Sequence, residues 1–246
     1  MRVGILTGGG DCPGLNAVIR ATAKSLLRRG ASVVGIADGF AGLMQGNVRE
    51  LDWSAVSGIL FSGGTILGTS NRADPLANAA ATAQTVQQAR ALGLDAIVAI
   101  GGNGTMTIAA GLSAHGLRFV GVPKTIDNDI EGCAQSFGFD TAVATVTRAL
   151  EQVQTTGQSH GRVMIVETMG RYAGWIALQA GIAGAADAIL LPEIDFDPAA
   201  LVRVCQQREN QHAHTVICIA EGAKPLGGEL TVERVLENSQ IGRAHV

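Results

Sequence analysis

The segment Pro123-Lys124-Thr125-Ile126-Asp127-Asn128-Asp129 gathers side chains that can do chemistry. Two carboxylates flank an amide, with a lysine and a threonine just before them. A carboxylate can accept a hydroxyl proton or hold a metal, and a lysine can neutralise phosphate. The same pattern also fits an ordinary polar turn after a strand, where Asp and Asn bond their own backbone. The segment alone leaves both readings open, and the elements around it have to decide.

The apolar run Phe119-Val120-Gly121-Val122 reads as a buried strand that ends at Pro123 and delivers the segment to a sheet edge. Two further loops have the form strand, glycine turn, helix. Arg2 to Leu6 leads into Thr7-Gly8-Gly9-Gly10-Asp11-Cys12-Pro13-Gly14-Leu15-Asn16, and a helical pattern follows to about Arg29. Asp95 to Ile100 leads into Gly101-Gly102-Asn103-Gly104-Thr105, with a helix through about Ala114. Such loops aim backbone N–H groups and a helix N-terminus at phosphate. The first has neither the dinucleotide-binding glycine spacing nor the Gly-Lys-Ser/Thr of a P-loop. Parallel strands would open all three loops on one sheet edge, where ligands of open α/β sheets bind. Arg72, after Leu67-Gly68-Thr69-Ser70-Asn71, is a usable phosphate clamp near them.

From about Phe139 the pattern restarts. Helices are expected over Thr141–Thr155, Trp175–Ala183 and Pro198–Asn210, with strands at Arg162–Glu167, Ala188–Leu191 and Thr215–Ala220. Arg162 and Arg171 bracket the first of these strands, as a basic pair suited to a phosphorylated small molecule. The expected architecture is α/β, with two Rossmann-like three-layer domains and parallel sheets.

The 246 residues are 47% hydrophobic and only 16% charged, with 33 glycines, which fits glycine-turned α/β units and not a disordered chain. A net charge of −3 points to neither nucleic acid nor a membrane surface as partner. No apolar run approaches the roughly 20 residues of a membrane span, and no leader precedes the first strand, so the expected location is cytoplasmic. Cys12, Cys133, Cys205 and Cys218 lack paired spacing and read as free thiols. His212 and His214, two apart beside a strand, carry no metal-site expectation.

Taken together these motifs resemble the 6-phosphofructokinase family, from Arg2 to about Val235. Gly8 to Asn16 looks like that family's first phosphate loop and Gly101 to Thr105 like its second. Pro123 to Asp129 is similar to its catalytic motif, and Met169-Gly170-Arg171 and Glu221-Gly222 to its sugar-phosphate elements. The resemblance implies an active site between two domains, where Mg²⁺-dependent transfer carries a donor's γ-phosphoryl group to the 1-hydroxyl of fructose 6-phosphate. It implies Asp127 as the base, with Thr125, Asp129 and Arg171 in the catalytic set. Gly10, Arg72, Gly102, Asn103, Gly104, Thr105 and Lys124 would hold the donor. Thr125, Ile126, Asp127, Met169, Gly170, Arg171 and Glu221 would hold the sugar, with Arg162 reaching the 6-phosphate of a neighbouring subunit in a homotetramer. Asn103 and Asp129 would be the metal ligands.

Three departures qualify the resemblance. Asn103 stands where the family usually carries a Mg²⁺-holding aspartate, which implies weaker metal binding. Gly104 resembles ATP users, because an aspartate there would crowd a nucleotide, whereas Lys124 resembles pyrophosphate users. Steric exclusion is the stronger effect, so ATP is the expected donor and pyrophosphate the alternative. Of the nucleotide-effector set in allosteric members, Arg20 and Lys24 fit and Asp187 is similar to a metal-binding carboxylate. Gln154, Gln211 and Ala213 replace expected cations, so regulation by ADP and phosphoenolpyruvate is expected to be weak or absent.

The expected division is a donor domain over residues 1–138 and a sugar-phosphate domain over 139–240. Residues 241–246, Ile-Gly-Arg-Ala-His-Val, resemble a translated sequencing adapter and are expected to be non-native. The family continues for roughly a hundred residues beyond Gly222, so a poorly active fragment is expected. A catalytically weak binding or regulatory paralogue is a rival supported by Asn103. A diacylglycerol- or NAD-kinase-type enzyme is a remoter one, since Gly101 to Thr105 resembles their Gly-Gly-Asp-Gly-Thr loop.

Overall fold

The computed structural model describes residues 1–70, 72–211 and 214–227, and the backbone of 243–245. The chain forms two compact units. The first comprises Met1–Thr125 and Ile130–Gly138, and the second comprises Ile126–Asp129 and Phe139–Val246. The Ile126–Asp129 segment, expected in the first domain, therefore groups with the second.

In the first unit the chain runs β1 (Arg2–Thr7), α1 (Leu15–Arg28), β2 (Ser32–Ile36), α2 (Phe40–Gln45), β3 (Val48–Glu50), α3 (Ala79–Ala91), β4 (Ala96–Gly101), α4 (Asn103–Ser113), β5 (Phe119–Thr125) and β6 (Phe137–Gly138). The sheet order is β3-β2-β1-β4-β5-β6. From β1 the chain moves outward to β2 on one side and later to β4 on the other, so the β1–β4 boundary is where the winding reverses. That boundary is the crevice position for ligands of open α/β sheets. Strand alternation sends Val3, Ile5, Val98 and Ile100 into a core with Leu15, Ile19 and Ala23 of α1. It sends Leu6, Ile97 and Ala99 into a second core with Phe40, Val86, Ala109 and Leu112 of α2, α3 and α4. Both sheet faces are thus covered, which gives three layers.

Two local expectations need correction. The sheet is not wholly parallel, because β3 pairs antiparallel with β2 through Val34↔Glu50 and Ile36↔Val48. The Ala37–Asn47 connection, with only the six-residue α2 in it, is at the lower limit of the crossover that a parallel return requires. The strand at Phe119, expected to be buried and to end at Pro123, leaves Val120 and Gly121 exposed and continues to Thr125. Pro123 pairs with Gly101 of β4, while β6 pairs only with Lys124 and Thr125. At the proline β5 is therefore an edge strand, where a missing N–H is tolerated.

The second unit contains α5 (Phe139–His160), β7 (Val163–Thr168), α6 (Trp175–Ala183), β8 (Ala188–Leu190), α7 (Pro198–Asn210), β9 (Thr215–Ala220) and β10 (Arg243–His245). Its sheet is parallel, in the order β10-β7-β9-β8. Val163, Ile165, Ile217 and Ile219 face Leu201 and Cys205 of α7. Met164, Val166, Val216 and Cys218 face Leu150 and Val153 of α5 and Ala177 and Ala180 of α6. Helix α5 outruns its expected span at both ends, beginning at Phe139, whose ring is buried. Helix α7 is capped as its sequence dictates: Asp197 accepts a hydrogen bond from Ala199 N at 2.8 Å, and Pro198 occupies the first turn.

All four cysteines are free thiols. Burial pushes the Cys218 thiol up to about 12 from an ordinary 9.0. Burial also pushes Cys12 up to about 11, against the lowering influence of Lys124. Below pH 9 folded and unfolded chains both keep these protons. Above it the unfolded state ionises first, so stability falls as pH rises from about 9 towards 11 or 12. Urea denaturation across this range should show a falling midpoint, with a shallower fall in Cys218→Ala than in the parent. Equal slopes would contradict the assignment.

Candidate functional site

The first unit holds a cavity of about 440 Å³ at the β1–β4 boundary. Gly8, Gly9 and Gly10 line it from the end of β1, and Gly102, Gly104 and Thr105 from the end of β4. Lys124 and Thr125 line it from the end of β5, and Ser70, Ala73 and Asp74 from the long irregular segment before α3. The converging loops expected from the sequence do converge here. The cavity brings together Gly10, Gly102, Gly104, Thr105, Lys124 and Thr125 from the expected set.

The closeness of the two glycine loops has a steric cause. The Thr105 side chain, only 5% exposed, packs where Gly8 and Gly101 lack one. A Cβ on Gly8 would stand 2.5 Å from Thr105 Oγ1, and one on Gly101 would collide with the same side chain. Helix α4 begins at Asn103, with Gly102 as its N-cap and no acidic residue in its first turn. Its exposed partial positive charge is therefore left to an anionic ligand. At Gly104 an added Cβ would meet nothing within 4 Å, so a side chain there would project into the cavity and not into protein.

Lys124 is the buried cation of the cavity at 5% exposure, and its Nζ donates to the Gly10 carbonyl. That bond ties the end of β5 to the first glycine loop. Asn103, the first residue of α4, is exposed, and its carbonyl accepts from Thr107 Oγ1 at 2.9 Å. Arg72 lies in the same loop as Ser70 and Ala73. It is exposed, and its backbone N–H donates to Ser70 Oγ at 3.2 Å. Sequence reasoning missed Phe40, Ile108, Ser70, Ala73 and Asp74 as lining residues. Phe40 rides on α2, six residues between Gly39 and Gly46, too short to show a helical period.

The catalytic-type segment follows β5 directly. Asp127 is half-buried and Asp129 exposed. Asn128 between them adopts a left-handed φ of 53°, a conformation that asparagine tolerates better than most side chains. The amide between the carboxylates thus has a conformational reason to be there. Among the described residues no three His, Cys, Asp or Glu side chains form a metal cluster. A donor set of one or two oxygens suits Mg²⁺ that keeps waters and takes its remaining ligands from substrate phosphates. It does not suit a resident, protein-caged ion.

In the second unit the sugar-type residues gather at the C-terminal ends of β7 and β9. Glu221 N donates to Thr168 O at 2.9 Å, and Gly222 N to Gly170 O at 3.2 Å. A Cβ on Gly222 would collide with the Arg171 carbonyl. Met169, Gly170, Arg171 and Glu221 therefore form one packed loop pair, with Arg171 stacked on Tyr172 at 5.5 Å. Arg162 does not join them. It precedes β7, whereas Arg171 follows it, so six strand residues separate the two, roughly 20 Å at the strand rise. Their bracketing of β7 in sequence does not become a basic pair at one site.

The expected effector residues are also dispersed in chemistry. Arg20 and Lys24 line a cavity of about 560 Å³ with Arg28, Arg29 and Trp53. Lys24 and Arg28 lie over the Trp53 ring at 5.1 and 5.6 Å. Asp187, expected as a metal carboxylate, pairs with Arg208 at 3.0 Å and accepts from Val216 N at 2.8 Å. Gln154 bonds the His214 ring at 2.7 Å and Gly184 O at 3.1 Å. Asn71, His212 and Ala213 lie outside the described residues.

Comparison with known proteins gives the family. The phosphofructokinase family profile matches residues 2–244. The Streptomyces coelicolor protein named ATP-dependent 6-phosphofructokinase 2 is 52% identical over 233 residues, covering 94% of this chain and 68% of its own length. The same organism's pyrophosphate–fructose 6-phosphate 1-phosphotransferase is 45% identical over 235 residues, covering 95% and 68%. The solved phosphofructokinase of Saccharomyces cerevisiae superposes with a TM-score of 0.86 at 29% identity, over all of this chain and 37% of that one. This chain thus spans about two thirds of these bacterial relatives and little more than a third of the yeast chain. The chain belongs to the phosphofructokinase family. It is accordingly a phosphotransferase, on an α/β fold of mostly parallel sheets with flanking helices.

Replacing Gly101 by Ala should force Thr105 out of its niche and cost about 1–3 kcal/mol, the range for overpacking a tight site. Adding Thr105→Ala should recover part of that loss. Equal urea midpoints for parent and Gly101→Ala would refute the wedge.

Proposed function

We propose that this chain acts as an ATP-dependent 6-phosphofructokinase, transferring the γ-phosphoryl group of ATP to the 1-hydroxyl of fructose 6-phosphate in glycolysis. The observation that carries the donor reading is the open space at Gly104 beside a helix N-terminus free of acidic residues. A nucleotide's bulk can enter there, and the N-terminus of α4 favours its phosphates. The half-buried Asp127 takes the proton of the 1-hydroxyl as that oxygen attacks the γ-phosphorus and ADP departs. Thr125 and Ile126 lead the chain into that carboxylate and contact the sugar. Gly10, Gly102, Thr105, Lys124 and Arg72 hold the polyphosphate, and Met169, Gly170, Arg171 and Glu221 hold the sugar phosphate. Such transfer is mainly positioning and charge stabilisation, which a glycine cradle with a buried lysine supplies.

Asn103 and Asp129 would hold Mg²⁺ with the donor's own oxygens. The ion, when bound, neutralises charge developing on the transferred group. Asn103 offers an amide oxygen without charge, so metal affinity is reduced. Arg162, at the end of β7 away from Arg171, serves the sugar phosphate of a neighbouring subunit, which supports a homo-oligomeric, tetrameric assembly. The pairing of Asp187 with Arg208 supports weak or absent response to ADP and phosphoenolpyruvate. No helix among the described residues is long and apolar enough to cross a membrane, which accords with a cytoplasmic reading. Pyrophosphate is the second donor, favoured by the buried Lys124.

An aldolase-coupled assay with fructose 6-phosphate and Mg²⁺ should give turnover with ATP and little with pyrophosphate. Asp127→Asn should lower kcat by about 10²–10⁴-fold, the usual worth of a general base. Turnover with pyrophosphate alone would reverse the donor assignment, and full activity in Asp127→Asn would remove the base. Titration calorimetry of Mg²⁺ into the ATP complex should show tighter binding in Asn103→Asp than in the parent. Equal affinities would exclude Asn103 as a ligand.

A further inference from the structure

The wall of the donor cavity that carries Ser70, Ala73 and Asp74 belongs to the stretch between β3 and α3, whose described residues form neither helix nor strand. Something must hold it. Two polar side chains do so, one on each side of the first glycine loop. Thr7 closes β1 and Asn16 opens α1, and each is only 1% exposed. Asn16 Nδ2 donates to Ser62 O at 3.0 Å and Gly63 O at 3.2 Å, and its Oδ1 accepts from Ile66 N at 2.8 Å. Thr7 Oγ1 donates to Gly68 O at 2.7 Å. It therefore receives the Thr65 hydroxyl, 3.0 Å away, as acceptor. Thr65 Oγ1 in turn accepts from Leu67 N at 3.2 Å, and Thr69 Oγ1 donates to Gly9 O.

The grip is reinforced by close packing. Leu67 is buried, and its carbonyl accepts from Asp38 N at 2.9 Å. Gly68 has φ +68°, and a Cβ there would stand 2.5 Å from Asp38 Oδ1. Residues 62–69 are thus fastened to Thr7 and Gly9 on one side and to Asn16 on the other by part-buried hydrogen bonds. Beyond it Ser70, Ala73 and Asp74 line the cavity, and Arg72 lies exposed in the same loop. Neither Thr7 nor Asn16 lines the cavity.

We infer that Thr7 and Asn16 are positioning residues for the phosphoryl donor, acting by locking the 62–69 segment so that the wall formed by Ser70, Ala73 and Asp74 keeps a fixed place beside the glycine loop. This rests on the reading of that cavity as the donor site. Thr7 has the sharper test, because valine keeps its shape and removes only the hydroxyl, whereas serine keeps the hydroxyl. Losing part-buried hydrogen bonds to a segment that must otherwise be ordered on binding should weaken ATP about tenfold.

The experiment is ATP titration calorimetry on the parent, Thr7→Val, Thr7→Ser and Asn16→Asp, with amide hydrogen exchange on the unliganded proteins and melting temperatures. Asn16→Asp removes both amide donors and sets a carboxylate against two carbonyls, so Thr7→Val carries the test if that variant fails to fold. The expected result in Thr7→Val is about tenfold weaker ATP binding with unchanged fructose 6-phosphate binding. Exchange should quicken at Ile66 to Gly68 and not in α1 or β4, and Thr7→Ser should restore both. Unchanged ATP affinity in Thr7→Val, or equal loss for both ligands alongside a lowered melting temperature, overturns the inference while leaving the donor site intact. A parent that binds fructose 6-phosphate but neither ATP nor pyrophosphate overturns the donor reading, and the inference with it.

Discussion

Much of the first unit depends on a single steric accommodation, the seating of Thr105 against two glycines. Strands β1 and β4 are neighbours, and each ends in a loop that must turn at once into a helix. A β-carbon on Gly8 or Gly101 would push the first turn of α4 away from the end of β1. With hydrogen there instead, the threonine side chain fills the gap, and two sets of backbone N–H groups come to border one cavity. The reversal of winding between β1 and β4 puts that cavity where no crossover helix covers it. Lys124 then crosses from the end of β5 to the Gly10 carbonyl, adding the charge that glycines cannot.

The second unit reaches a similar end with different means. Its loops after β7 and β9 are held by backbone hydrogen bonds between Glu221 and Thr168 and between Gly222 and Gly170. Gly222 is needed because the Arg171 main chain occupies the space its side chain would take. Arg171 rests on Tyr172, so its guanidinium is oriented before any ligand arrives. Charges away from this end are settled internally. Asp187 is held by Arg208, and Arg208 Nε in turn donates to the His214 carbonyl at 2.9 Å. A carboxylate already engaged by a guanidinium and a backbone N–H is a poor metal ligand.

Asn103 and Gly104 show how neighbouring positions carry separate chemical information. In the proposed site one would set how much charge faces a metal, the other how much room faces a nucleotide. Both lie in the first turn of α4, where the helix N-terminus already supplies attraction for phosphate. Both positions are exposed, and a Cβ at Gly104 would meet nothing within 4 Å, so the fold leaves their side chains open to change. The relatives named for ATP and for pyrophosphate, at 52% and 45% identity, show both donors among similar chains.

By itself the sequence determined what periodicity and local chemistry can carry. Apolar runs at Asp95–Ile100 and Thr215–Ala220 announced strands, and the span Pro198–Asn210 announced α7 at its observed bounds. The glycine loops announced phosphate-facing turns, and their order announced the family. Tertiary structure alone decided what depends on residues distant in the chain. It extended β5 through Pro123, because an edge strand can spare that N–H, and it turned β3 antiparallel, because its connection is short. It set Arg162 and Arg171 at opposite ends of β7, although in sequence they bracket one strand. It made Thr7 and Asn16 the anchors of a loop some fifty residues away. Period and spacing report the face and the turn a residue occupies. Its hydrogen-bond partners are fixed only when separate segments pack and every buried polar group must find one.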